Sequence, residues 1–100
     1  MFTLPNGYKS KTTFIIDFSI ADQFGEDAIK DTYERAFNEW KSNVEYLTEL
    51  VIVLNMKIWE HYQTNEALAN LYNELWQKTQ DYAYDTLDGD DFVYFWSCTD

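Results

Sequence analysis

His61 is the only histidine of the chain, and Glu60 precedes it. A histidine beside a carboxylate suits general acid–base work or metal ligation, but either chemistry needs further groups. A metal pair requires a second histidine at helical spacing, which the chain lacks, and no nucleophile stands at a matching interval. At the end of a helix the imidazole has a simpler use, because the dipole favours its charged form there. The segment Asp85-Thr86-Leu87-Asp88-Gly89-Asp90-Asp91 suggests calcium instead. An EF-hand loop sets acids at alternate positions before its glycine. Here Asp88 precedes Gly89, but Thr86 and Tyr84 fill the other slots, so the segment reads as a solvated turn. Cys98 lies between Trp96 and Asp100 with no base nearby to stabilise a thiolate. The three glycines are scattered and form no phosphate loop. The chain is therefore expected to hold no catalytic residue, no metal and no cofactor, and to work without enzymatic chemistry.

Its carboxylates are the residues with a usable pattern. The sequence has 18 acids against 7 bases and a formal charge of -11. Glu74, Asp81, Asp85 and Asp88 fall at i, i+7, i+11 and i+14, near one line of a helix, with Lys78 interrupting. Asp27, Asp31 and Glu34 make a shorter line upstream. From Asp81 to Asp100 there are six acids and no base. Spread over a surface of roughly 6,000 Å², the net charge is about fivefold more dilute than that of a DNA rod, so only clustering could imitate nucleic acid. The 81–100 segment supplies that clustering. Carboxylates one helical turn apart have Cβ atoms about 5–6 Å from one another, close to the scale of successive phosphates along a strand. Glu74, Asp81, Asp85, Asp88, Asp90 and Asp91 are the expected partner-binding residues, acting as charges toward a Lys/Arg surface. The same field disfavours direct nucleic-acid binding and anionic membranes.

These residues need a folded body to hold them. Strong acidity can mean disorder, but with 46% apolar and 19% aromatic residues the chain must bury surface. One hundred residues make a single domain, 1–100, with one core. Met1 to Lys11 contains the only proline and reads as a loosely ordered leader. It shows no signal-peptide pattern, and the lone cysteine fits a reducing, cytoplasmic setting. The longest apolar run, Leu50 to Leu54, is far short of a membrane span.

Between Lys11 and Ser19, Phe14, Ile16 and Phe18 alternate with Thr13, Ile15 and Asp17, which predicts a strand. A short connection ends at Gly25. Ile29, Tyr33, Ala36, Phe37 and Trp40 then mark the stripe of a first helix, with Glu26 and Asp27 at its positive end. Asn43 is the expected N-cap of a second helix, about Val44 to Tyr62, whose middle is apolar nearly all round. Leu50, Val51 and Leu54 should lie at its buried centre. Thr64 or Asn65 caps a third helix reaching about Leu87, with Leu68, Leu71, Tyr72, Leu75, Trp76, Tyr82 and Ala83 inward. Phe92 to Cys98 is β-branched and aromatic and predicts a second strand. The expected fold is α+β, with a three-helix core and two terminal strands in the order β-α-α-α-β. Antiparallel pairing of those strands is favoured by its general prevalence. Trp59, Tyr46, Tyr84 and Trp96 are candidates for exposed aromatics.

Three stretches carry a resemblance: Asp17-Phe18-Ser19-Ile20-Ala21-Asp22-Gln23-Phe24-Gly25, Asp31-Thr32-Tyr33-Glu34-Arg35-Ala36-Phe37, and Thr48-Glu49-Leu50-Val51-Ile52-Val53-Leu54-Asn55. Over roughly residues 12 to 100 the chain resembles small uncharacterised acidic proteins encoded on conjugative elements and prophages of gut Firmicutes. The resemblance transfers no functional residue. It implies a setting in which small acidic proteins include inhibitors of host defence, some of them DNA mimics. The combined expectation is a non-enzymatic protein-binding module of a mobile genetic element, directed at a basic nucleic-acid-binding protein. The alternative is a structural or regulatory subunit that forms a homodimer through exposed aromatics, its charge serving solubility.

Overall fold

A computed structural model describes the backbone of residues 11–99 and the side chains of 14–98 other than Trp40. Five helices follow one another: α1 (Lys11–Phe24), α2 (Glu26–Trp40), α3 (Val44–His61), α4 (Glu66–Thr86) and α5 (Gly89–Thr99). No strand occurs among the described residues, so the fold is all-α and the expected α+β arrangement is overturned. The leader expectation lies outside the described residues, apart from Lys11, which opens α1.

Both predicted strands are helices, for one physical reason. In α1 the buried side chains are Phe14, Phe18 and Ala21, at i, i+4 and i+7, while Ile16, Ile20 and Phe24 form a second apolar line in solvent. Phe14 and Phe18 share a helical face and Ile16 sits almost opposite. Over nine residues, a helix apolar on two faces is therefore indistinguishable from an alternating strand. Among the described side chains of α5 only Phe95 is fully buried, and Val93, Tyr94 and Trp96 stay exposed. The β-branched and aromatic residues of both segments favour strands only weakly, and packing against neighbouring helices overrides that preference.

The other elements follow from their stripes and caps. Gly25 joins α1 to α2 as a single residue, at φ 105° and ψ -170°, a conformation closed to side chains with a Cβ. Its N–H donates to Ala21 O at 3.1 Å, and its carbonyl accepts from Ile29 N at 3.2 Å, so both backbone groups of the joining residue are paired. Ile29, Tyr33 and Ala36 turn inward from α2. Asn43 caps α3 by accepting from Glu45 N at 3.0 Å and Tyr46 N at 3.4 Å. At α4 the capping residue is Asn65, which accepts from Leu68 N at 3.2 Å. Gly89, at φ 55°, starts α5, and the Asp88 carbonyl receives Phe92 N at 3.3 Å.

α3 is the axis of the molecule and touches each of the other four helices. Leu50, Val53 and Leu54 pack with Phe14, Phe18, Ile29, Tyr33, Leu71 and Tyr72 in the larger core. A smaller one gathers Leu47, Val51, Ala83 and Phe95, with Phe37 and Trp76 bordering both. Polar groups inside the larger core are paired. Thr79 Oγ1 donates to Leu75 O at 2.8 Å, so the Tyr33 hydroxyl at 2.7 Å donates to Thr79. Among the described residues, no helix is long and apolar enough to cross a membrane.

Candidate functional site

Lys57 lies on the stripe of Leu50 and Leu54, seven and three residues further along α3, and it goes inward with them at 2% exposure. A buried ammonium is tolerated only when paired. Asp22 Oδ2 of α1 meets it at 2.5 Å, and the Glu60 carboxylate, one turn along α3, lies on its other side. Asp22 is in turn fully engaged. Its Oδ1 accepts from the Tyr72 hydroxyl of α4 at 2.5 Å, and its Oδ2 also receives His61 Nε2 at 3.0 Å. That nitrogen must carry the proton, because a carboxylate only accepts. The imidazole lies flat on the Tyr72 ring, with centroids 5.8 Å apart and planes 5° from parallel. Three helices that approach from distant parts of the chain are thereby tied at one point.

The electrostatics of this cluster follow from its pairing. Burial alone would push the Asp22 carboxyl up. Hydrogen bonds from Lys57, Tyr72 and His61, with the Lys57 charge, outweigh it and hold the group below the ordinary aspartate range. The Tyr72 phenol moves the other way, driven far up by burial and then by its bond to Asp22 and the charges of Asp22 and Glu60. A general base works best near the operating pH, and here carboxylate and phenol are both displaced away from neutrality. Asp22, Glu60 and His61 do bring three ligand atoms within 4.8 Å of one another. The Lys57 ammonium already stands against both carboxylates, in the position a cation would take. The arrangement is that of a clamp between α1, α3 and α4.

The six acids singled out from the sequence are all exposed. They divide into two places. Glu74 shares the groove between α2 and α4 with Lys30, Glu34 and Lys78, a surface of mixed sign. Lys78 turns away from the acidic line, its Nζ 5.7 Å from the centre of the Tyr33 ring. Asp81 begins about 10 Å further along the helix axis. Asp81 and Asp85 of α4, Asp88 between the helices, and Asp90 and Asp91 in the first turn of α5 form one end of the molecule. The expected aspartate turn is thus shorter than its sequence suggested, because Asp90 and Asp91 are helical and complement the α5 dipole. Among the described residues, none of the six enters an ion pair.

Trp59, Tyr84 and Trp96 are exposed as expected, and Tyr46 is not: it is 5% exposed, packed inward from α3. Tyr84, Phe92 and Trp96 gather beside the aspartates, with centroids 5.8 to 6.4 Å apart. A second open surface lies between α1 and α2, a groove of 340 Å³ lined by Ile20, Phe24 and Ala28 together with Asp17, Asp31 and Glu39. Asp31 and Arg35 pair across its rim at 3.3 Å. His61 lies in the last turn of α3, where the dipole reading put it, and it also holds Asp22. The clamp had one sequence signal, a single lysine inside the stripe Leu47, Leu50, Leu54, which demands an acid from elsewhere. Compared with known proteins, the chain matches no family model, no curated protein and no solved structure.

Proposed function

We propose that this domain acts by binding, and that its Asp81–Asp91 end takes a basic surface of a partner protein, in the cytoplasm and without enzymatic chemistry. The observation that carries this reading is the set Asp81, Asp85, Asp88, Asp90 and Asp91, exposed together and free of ion pairs among the described residues. Glu74 belongs to the same helix line but sits among lysines, and its role is the weaker one. Unpaired charges of one sign raise the association rate with an oppositely charged surface and add less to the final affinity. The partner in this reading is a basic nucleic-acid-binding protein of host defence or transfer, and DNA would compete for the same surface. The test is capture of partners from a bacterial host lysate at low and high salt. The Asp81→Asn, Asp85→Asn, Asp88→Asn, Asp91→Asn protein should stay folded and lose the salt-sensitive partner, chiefly through slower association. An unchanged association rate in that variant sinks the reading.

A second reading, self-association, has its own observation in the exposed line Ile16, Ile20 and Phe24, the last 77% exposed. It predicts a dimer whose mass by light scattering falls to that of the monomer in Phe24→Ser. A monomer in the unaltered chain removes it.

A further inference from the structure

We infer that the ring face of Tyr84, Phe92 and Trp96 is a seat for an arginine side chain of the basic partner. This rests on the reading of the Asp81–Asp91 end as the binding surface and names the chemistry it takes. The three rings are in mutual contact: Tyr84 to Phe92 at 5.8 Å, Tyr84 to Trp96 at 6.1 Å, and Phe92 to Trp96 at 6.4 Å with planes 15° apart. Tyr84 is backed by buried Phe95, which meets it edge to face at 6.4 Å. Tyr84 is 43% and Trp96 46% exposed, so the aromatic cluster reaches water, with the Tyr84 ring tilted 48° and 46° from those of Phe92 and Trp96.

At four other rings, Phe37, Tyr82, Tyr72 and Tyr33, the chain supplies its own cation. Lys41 stands 5.6 Å from the Phe37 ring, Lys57 5.9 Å from Tyr72 and Lys78 5.7 Å from Tyr33. No described cation stands over Tyr84, Phe92 or Trp96. Their neighbours are acids: Asp81 precedes Tyr84 by three residues on α4, and Asp88 both follows it and receives the Phe92 N–H on its carbonyl. The negative ring faces and the carboxylates therefore ask for the same thing, a flat and weakly hydrated cation. Guanidinium can lie on a ring while its N–H fork reaches a carboxylate; a lysine ammonium is compact, strongly hydrated and makes only a point contact. A second copy of the chain would bring the same aspartates against these, and a nucleic-acid strand would bring phosphates against them. The charge around the aromatic cluster selects against both.

The probes are N-acetylated, amidated hexa-arginine and hexa-lysine, titrated calorimetrically against the whole chain, with the Trp96 indole N–H followed by NMR. Hexa-arginine should bind about two- to fivefold more tightly than hexa-lysine and shift the Trp96 resonance. Trp96→Ala should erase that ratio while hexa-lysine affinity stays unchanged, and the Asp81→Asn, Asp85→Asn, Asp88→Asn protein should bind both peptides less. Equal affinities, or a ratio that survives Trp96→Ala, overturn the arginine seat and leave the acidic surface standing. Equal loss of both peptides in Trp96→Ala, with the far-UV spectrum unchanged, overturns it too. Undiminished binding of both peptides by the Asn variant overturns the acidic surface itself. An oligothymidine strand that shifts the Trp96 resonance assigns the aromatic cluster to bases and ends the proposal.

Discussion

The central helix and the two terminal helices have nearly the same composition and opposite fates. α3 is apolar on almost every side, and neighbours from all four other helices cover it, leaving Leu50, Val51, Val53 and Leu54 at 1% exposure or less. α1 and α5 also carry apolar residues on more than one face, yet each is covered on one side only. Phe18 and Phe95 are fully buried while Phe24 and Trp96 stand in water on the same helices. What separates the two cases is position in the bundle, since an inner helix meets neighbours in every direction and an outer one does not. Surplus apolar surface on an outer helix has two outlets, solvent or a partner.

The largest expected effects test the buried half of this contrast. Phe95→Ala should cost roughly 3–5 kcal/mol and Leu54→Ala roughly 2–5 kcal/mol by urea unfolding, the ranges for deep aromatic and leucine truncations. A loss below about 0.5 kcal/mol at Leu54 would mean that α3 lies at the surface and that the bundle is wrongly drawn. Next comes the joint between outer and inner helices. Gly25→Ala meets no steric neighbour, so its effect is purely conformational; the strained φ should cost about 1–3 kcal/mol. A neutral result would show that the single-residue connection relaxes easily.

A smaller effect, discounted because Asp22 retains some solvent contact, concerns the clamp. Its folded carboxyl titrates below the unfolded one, so its contribution is complete above about pH 4 and is lost as pH falls through the folded value. The stability difference between the natural chain and Asp22→Asn should therefore shrink on acidification from pH 5 toward pH 2. A difference constant over that interval contradicts the pairing. The smallest effects belong to the open half of the contrast. Phe24→Ala and Trp96→Ala should each change stability by no more than about 0.5 kcal/mol. A loss comparable with that of Phe95→Ala would mean that these faces are covered in solution.

The same contrast explains which parts of the molecule could be read in the sequence. The stripes of α2 and α4 were legible because polar residues interrupt them at helical intervals, α3 because its apolar pattern runs too long for a strand, and Asn43 and Asn65 sit where caps belong. The helical nature of α1 was hidden because Ile16 and Ile20 put a second apolar line where a half-buried helix has polar residues. α5 was hidden likewise, its single inward Phe95 lost among Phe92, Val93, Tyr94 and Trp96. The acidic end could be listed residue by residue from the sequence, but its separation from Glu74 depends on where Lys30 and Lys78 come to lie. The clamp depends on residues 22, 57, 61 and 72 meeting in space, which local patterns do not encode; only the lysine inside an apolar stripe announced it.

Among the described side chains of α5, Phe95 alone is fully buried, and this has a consequence for the time course of opening. A helix held by so little buried surface can leave its groove without the rest of the bundle coming apart. In deuterated solvent the amides of Phe95 to Cys98 should exchange through a local event, faster and with a shallower denaturant dependence than those of Leu50 to Leu54. Each such excursion uncovers Leu47, Val51 and Ala83, so the lifetime of this end of the molecule is governed by α5 alone.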